Sequence, residues 1–330
     1  TLPFIRNILI DGLEVTRPAT LVGLIRSKPG MQLDFKRLND DLITLYHTNL
    51  FEDVNFNIKP DGADSADIII AVTERAYGFY AVGMRYDNAD KVVVGIEAGQ
   101  SNLWGSGASV RAALNLGNPR EIRIGLTGTR LFTFPFGYRL DTYRGSVTRP
   151  YYENSDWLTD YIVIYHGALI EAGYILGHNA FFDIGLSVRQ AVYRLPDVPV
   201  FDTLPSSEWM VGPTFRLEYN TWDDLHLPNR GTAFSLTADH SNKRLWSTRE
   251  FTRVAASARR YVPVTGRLLF VPEFSAAFSW GDLTWDSYFM TGGVDLIGYE
   301  HGRFTTENRA IVRAGIEYRI HNLLDRKDYP

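Results

Sequence analysis

From about residue 77 onward, apolar and polar side chains alternate in one short run after another. In Lys91 to Gln100, Val94, Ile96 and Ala98 alternate with Gly95, Glu97 and Gly99. Val110, Ala112 and Leu114 alternate around Arg111. Ile122, Ile124 and Leu126 alternate with Arg123, Gly125 and Thr127. The pattern recurs at Ile184 to Val188, Phe215 to Tyr219, Phe234 to Ala238 and Ala314 to Ile320. A period of two is the signature of a strand with two chemically different faces. About twelve such runs precede residue 320, each long enough for a tilted membrane crossing. The polar face carries Arg, Glu and Gly in run after run. A soluble sandwich turns such a face to water, whereas a membrane barrel lines its lumen with it and gives the apolar face to lipid. The period alone leaves a soluble β-rich binding protein open. Trp104, Trp157, Trp209, Trp280 and Trp285 fall near expected strand ends, as interfacial aromatic girdles require, and they favour the barrel.

Other classes are narrowed by what is missing. No apolar run approaches the roughly 20 residues of a transmembrane helix; Ile68 to Val72 is typical of the longest. There is no Cys, which removes disulfide scaffolds and thiolate sites. A net charge of -4 gives no basic stripe for nucleic acid. His166, His178, His226, His240 and His301 are scattered without metal-ligand spacing. Asp223-Asp224 is followed by no alternating run of oxygen ligands. No Gly-x-Ser-x-Gly elbow occurs, and Gly105-Ser106-Gly107 reads as a hairpin turn. The expectation is therefore no catalytic residue, no metal and no cofactor within this chain. Residue 1 lies almost on a strand-like stretch, so the sequence reads as a mature or shortened chain.

Residues 1 to about 75 have a different texture. Phe4 to Ile10 is strand-like and Asp11-Gly12 turns it. Thr16 to Ile25 reads as a short helix, with Thr16 as N-cap and Pro18 in its first turn. Gly30 ends that unit. Asp34 caps a second helix in which Leu38, Leu42, Leu45 and Tyr46 recur at helical spacing. Val54 to Lys59 and Asp67 to Thr73 read as strands around a Pro60-Asp61-Gly62 turn. The order is β-α-α-β-β, and the expected division is 1–75 and 76–330.

Gly30-Met31-Gln32-Leu33-Asp34, Leu45-Tyr46, Leu50-Phe51-Glu52-Asp53-Val54 and the closing Ile68 to Glu74 together resemble a POTRA domain. The remainder resembles the barrel of the BamA/TamA superfamily, nearest to the translocator half of patatin-like autotransported lipases. Three motifs carry the likeness. Asn102-Leu103-Trp104-Gly105-Ser106-Gly107 resembles its early hairpin turn. Asp223-Asp224 through Pro228-Asn229-Arg230-Gly231 resembles its Asp-rich turn. Gly292-Gly293-Val294-Asp295-Leu296-Ile297-Gly298-Tyr299 resembles its lumen-loop motif. The resemblance implies a mostly β fold, a POTRA domain followed by an antiparallel transmembrane barrel. It implies sixteen strands when complete, so strands beyond residue 320 are expected to be missing or supplied by a partner chain. It places the barrel in a bacterial outer membrane and the POTRA domain in the periplasm. It implies lipid or lipopolysaccharide, a polypeptide client or linked passenger, and a second copy of the chain as partners. The implied function is translocation or anchoring, with BamA/TamA-type assembly as the alternative. One departure stands out. Relatives usually have Arg where this chain has Ile297, and that Arg pairs with an acid on the barrel wall. The loop is then expected to be held by packing of Leu296, Ile297 and Tyr299, or by another cation such as Arg303.

Overall fold

The computed structural model describes residues 2–319, apart from 47, 49, 63, 88–89, 129–135, 154–155, 177–178, 197–204, 225–226 and 294. His178, His226, Ile320 and the tail 321–330 lie outside these residues.

The N-terminal module runs β1 (Phe4–Asp11), α1 (Pro18–Val22), α2 (Phe35–Tyr46), β2 (Phe51–Asp61), β3 (Ser65–Glu74). Its sheet has the order β1-β3-β2, with β1 parallel and β2 antiparallel to β3. Leu21, Leu38, Leu45, Phe51, Ile68 and Ile70 are fully buried between helices and sheet. Leu50 joins that core, Val54 packs against it, and Tyr46 is half exposed. Asp34 caps α2 as expected, its Oδ1 accepting from the Lys36 amide at 2.9 Å. Gly30 takes φ +86, a left-handed value that suits Gly.

Two local expectations are corrected. The N-cap of α1 is Arg17, without a side-chain bond, because the Thr16 hydroxyl is engaged with Tyr77 and Asn102 instead. Pro60 lies inside β2 rather than in the turn. An edge strand tolerates proline because one side of its backbone needs no ladder partner.

Twelve strands follow in one sheet: β4 (Gly78–Asp87), β5 (Lys91–Leu103), β6 (Ala108–Leu116), β7 (Arg120–Gly128), β8 (Phe136–Glu153), β9 (Asp156–Leu176), β10 (Ala180–Arg194), β11 (Ser207–Asn220), β12 (Gly231–Ser241), β13 (Phe251–Pro263), β14 (Leu268–Gly281) and β17 (Arg309–Tyr318). Neighbours in sequence are neighbours in the sheet, except that β17 pairs with β14. Between them lies a two-stranded insert, β15 (Phe289–Thr291) and β16 (Phe304–Thr306). By compactness the chain forms two units. One comprises Thr1–Met84, Val94–Asn115 and Ile122–Asp141, the other Arg85–Val93, Leu116–Glu121 and Thr142–Pro330.

In the second unit the register sorts the two faces. Ile170 pairs with Leu186, Ile184 with Phe215, Phe215 with Ala238, Ala238 with Val254, and Val254 with Phe278. Further along, Phe274 pairs with Val312 and Phe270 with Ile316. Most of these side chains are exposed: Ile184 is 58% accessible, Phe278 51% and Val312 78%, while Phe215, Ala238 and Val254 are half-buried. On the other face Glu171 and Asp183 are almost fully buried. A soluble sheet of this size would bury the first set and hydrate the second. The inversion is what a lipid-facing exterior and a polar interior require.

Glycines on the polar face make room for tyrosines. A Cβ on Gly145 would lie 2.7 Å from the Tyr165 hydroxyl, and one on Gly167 would lie 2.7 Å from that of Tyr143. The two rings stand 6.1 Å apart across β8 and β9.

Within the second unit, Trp157, Trp209, Trp246 and Trp280 sit exposed at the same end of the strands; Trp104, in the first unit, is exposed as well. Trp285 departs from the girdle expected of it. It belongs to the loop after β14, where Tyr151 and Tyr161 pack on it at 5.9 and 6.1 Å.

Candidate functional site

The segment between β14 and β17 is the most elaborately held part of the second unit. It begins with a 3-10 turn, Trp285–Ser287. Thr284 and Ser287 are fully buried. The Trp285 amide donates to Glu208 Oε2 at 3.0 Å, and the Asp286 amide donates to the Tyr193 hydroxyl at 3.2 Å. The Asp286 carboxylate lies 2.8 Å from Arg149 on β8 and also pairs with Arg189 on β10. Behind it, Tyr193 donates to Glu208 at 2.7 Å. Arg249 bridges Glu208 and Asp282, each at 2.6 Å. The segment thus leaves β14 and lies across the polar face of β8, β10 and β11.

The expected lumen-loop residues sit further on. Gly292 and Gly293 have φ of +136 and +65, and a Cβ on Gly292 would fall 2.0 Å from the Glu300 carbonyl. The Gly293 amide donates to the Tyr299 carbonyl at 2.9 Å, closing the tip on itself. Gly298 also has positive φ, +95. Tyr299 packs its ring edge-on to Phe304, 5.1 Å away. Packing by Ile297 is overturned: the side chain is 86% exposed, and Leu296 is 37% exposed. The Arg303 guanidinium lies over the Tyr152 ring at 5.5 Å and 3.8 Å from Glu300, an exposed arrangement. Arg309 at the start of β17 holds Asp295 at 3.0 Å and donates to the Met290 carbonyl. Asp286 and its arginines were not singled out from the sequence. Arg189 does stand on the polar parity of its strand, which is the one signal available.

Of the other two motifs, the early hairpin turn belongs to the first unit, and the Asp-rich turn lies at the opposite strand ends of the second. Asn102, fully buried, donates from Nδ2 to the Thr16 hydroxyl at 2.7 Å and accepts at Oδ1 from the Gly107 amide at 2.9 Å. The Gly105 carbonyl accepts from the Arg17 amide at 3.0 Å and from the Thr20 hydroxyl at 2.8 Å. The turn after Leu103 is thereby seated on the start of α1. Glu74 completes this corner by accepting from the Val15 and Thr16 amides. Partial burial pushes the Glu74 carboxyl up, but the bonds from Thr16 and Val15 outweigh it and hold it below the usual range. Ser106 donates to the Leu103 carbonyl at 2.7 Å, as a turn serine does.

In the Asp-rich turn, Asp223 Oδ1 accepts from the Asn229 and Arg230 amides at 2.8 and 3.2 Å. Asp224 accepts from the Leu227 amide. Gly231 has φ +112 with the Thr221 carbonyl 2.2 Å from a would-be Cβ. Arg319 donates to the Pro228 carbonyl at 2.8 Å and also reaches Asn229, tying this turn to the end of β17. Among the described residues no three His, Asp or Glu side chains converge as metal ligands. Arg259 pairs with Glu273 at 2.6 Å, and Glu273 also pairs with Arg313.

An exposed apolar face, an ion-paired polar face and a loop folded over it define an antiparallel membrane β-barrel. The Omp85 superfamily domain matches residues 102–327, and the chain belongs to that superfamily of outer-membrane barrels. Among solved structures it is similar to BamA from Haemophilus ducreyi lacking POTRA domains 1-3, with 17% identity and a TM-score of 0.74 over 91% of this chain and 60% of that one. It is similar to CdiB from Acinetobacter baumannii at 14% identity, TM-score 0.65, over 96% of this chain and 61% of that one. CdiB from Escherichia coli gives 12%, 0.63, 97% and 62%. The chain therefore spans about three fifths of the length of these structures. No curated protein matches by sequence.

Proposed function

We propose that the chain is a translocator. Its N-terminal module is a periplasmic POTRA domain that captures an extended polypeptide, and its barrel delivers or anchors that polypeptide at the outer membrane. The observation that carries this reading is the asymmetry of the module's sheet. The outer side of β1 is covered, because the Ile5 and Gly30 amides and the Ile5 and Met31 carbonyls bond one another and Leu33 donates to Pro3. On the other side, among the described residues, β2 pairs only with β3. An uncovered edge with exposed Asn55 and Asn57 accepts an added strand. The non-Arg residue at Ile297 favours the patatin-like autotransporter branch. A photo-crosslinker at Asn57 in the full-length protein is expected to capture a passenger in transit, and one at Leu9 is not. Equal capture at both positions would sink the reading.

The higher TM-score to BamA favours a second reading, assembly of other outer-membrane proteins. Depletion separates the two. Loss of one linked surface domain supports translocation, and loss of many unrelated barrels supports assembly.

A further inference from the structure

We propose that Asp286 is the pin that holds the internal loop across the barrel, with its polarity reversed: the loop supplies the carboxylate and the wall supplies the cations. The motif tip cannot be the pin. Ile297 is 86% exposed, and the contacts of Asp295 and Tyr299 run to Arg309, Phe304 and Gly293, all within the loop or at its return into β17. The contacts of Glu300 and Arg303 with Tyr152 are made at an exposed strand end. Asp286 is different in kind. Its side chain has no accessible surface, it is 2.8 Å from Arg149, and it pairs with Arg189 as well. Those arginines come from two separate wall strands, β8 and β10. Arg253 on β13 also acts electrostatically on Asp286, sharing that interaction with Asp239.

A carboxylate is stable away from water only where cations and donors replace its hydration. Near Asp286 the wall provides three guanidinium groups, and the backbone of the same turn is tied to Tyr193 and Glu208. Without the carboxylate, Arg149 and Arg189 lose the counter-charge they share, and Arg253 keeps Asp239. That arrangement repels itself and is a receptor for a small carboxylate. The pin therefore sets the loop's closed position, and its release clears the polar face. Its purpose rests on the proposed passage of a polypeptide; its test does not.

The test uses the full chain in detergent. A gel shift on heating shows that each variant has a folded barrel. In D286A, cleavage of the loop by proteinase K is expected to rise on the order of a hundredfold, the scale of a broken buried ion pair in a local opening equilibrium. Added acetate is expected to restore protection, while chloride at the same ionic strength is not. I297A is expected to leave cleavage unchanged. As a second measurement, a disulfide between cysteines at Met210 and Ser287, whose side chains touch at 3.7 Å, should form readily with Asp286 present and poorly in D286A. Unchanged cleavage and disulfide yield in D286A, or release of the loop by I297A, would overturn the pin. If D286A frees the loop but crosslinks at Asn57 capture no passenger, the translocation reading falls and the pin stands.

Discussion

Replacing Gly105 by Ala tests whether the early hairpin turn is seated on the N-terminal module by backbone contact. Gly105 has φ +70, where an L-residue costs about 1–2 kcal/mol. A Cβ there would lie 2.1 Å from the Val15 carbonyl and 2.9 Å from the Arg17 amide, so the turn must move. Moving it breaks the two bonds to the Gly105 carbonyl, from Arg17 at 3.0 Å and Thr20 at 2.8 Å. At about 0.5–1.5 kcal/mol each, these add roughly 1–3 kcal/mol, for a total of about 2–5 kcal/mol with the dihedral cost included. Gly107 is the control. Its φ is +74, but the nearest atom to its Cβ is the Thr20 methyl at 3.5 Å, an ordinary contact. Gly107→Ala then carries only the dihedral cost of about 1–2 kcal/mol. The difference of about 1–3 kcal/mol corresponds to roughly 5- to 150-fold in a local opening equilibrium. Hydrogen exchange on peptides spanning 13–24 reads it directly. Exchange in Gly105→Ala should exceed that in Gly107→Ala by that factor. Equal exchange in the two variants would refute the seating.

Three further outcomes are expected. Phe274→Lys places a charge at mid-strand on the outward face and should destabilise the barrel by about 2–4 kcal/mol, whereas Ser257→Lys on the opposite parity should cost far less; urea titration in lipid vesicles compares them. Glu171→Gln leaves Arg216, now 3.1 Å from the carboxylate, without its buried counter-charge, at about 3–5 kcal/mol; the band of the unfolded chain should appear at lower temperature on heated gels. The Glu74 carboxyl is held below its unfolded value, so its contribution is complete above the unfolded range and is lost as pH falls through the lower folded value. Exchange at Val15 and Thr16 should rise on acidification through that window, and Glu74→Gln should remove the step.

The strand array was legible because its signal is repetitive. Alternation at Ile184 to Val188 or Phe215 to Tyr219 fixes which residues share a face whatever the neighbours do. The same alternation does not say which face meets solvent; that followed only once Ile184 and Phe278 were seen exposed and Glu171 buried. The module's elements were legible from Asp34, Gly30 and the spacing of Leu38 to Leu45, yet Thr16 was misread. Its local sequence suits an N-cap, but Asn102, distant in sequence, competes for the hydroxyl. The loop was legible only in its glycines. Positive φ at Gly292, Gly293 and Gly298 is a local demand that only certain residues meet. The Asp286 cluster has no local demand. It depends on two wall strands meeting one turn, and no spacing in the sequence encodes that.

The reciprocal fit of Gly145 under Tyr165 and Gly167 under Tyr143 bears on how the strands find their alignment. A slip of one residue turns every side chain to the wrong face and is rejected by chemistry. A slip of two keeps each face correct, and an alternating pattern cannot detect it. The tyrosine–glycine couples can, because a shifted hydroxyl would meet a neighbour with a side chain instead of bare backbone. They act as a key for β8 against β9, distinguishing alignments that hydrophobicity treats as equivalent. The prediction for a population of related chains is that each such couple changes together or not at all.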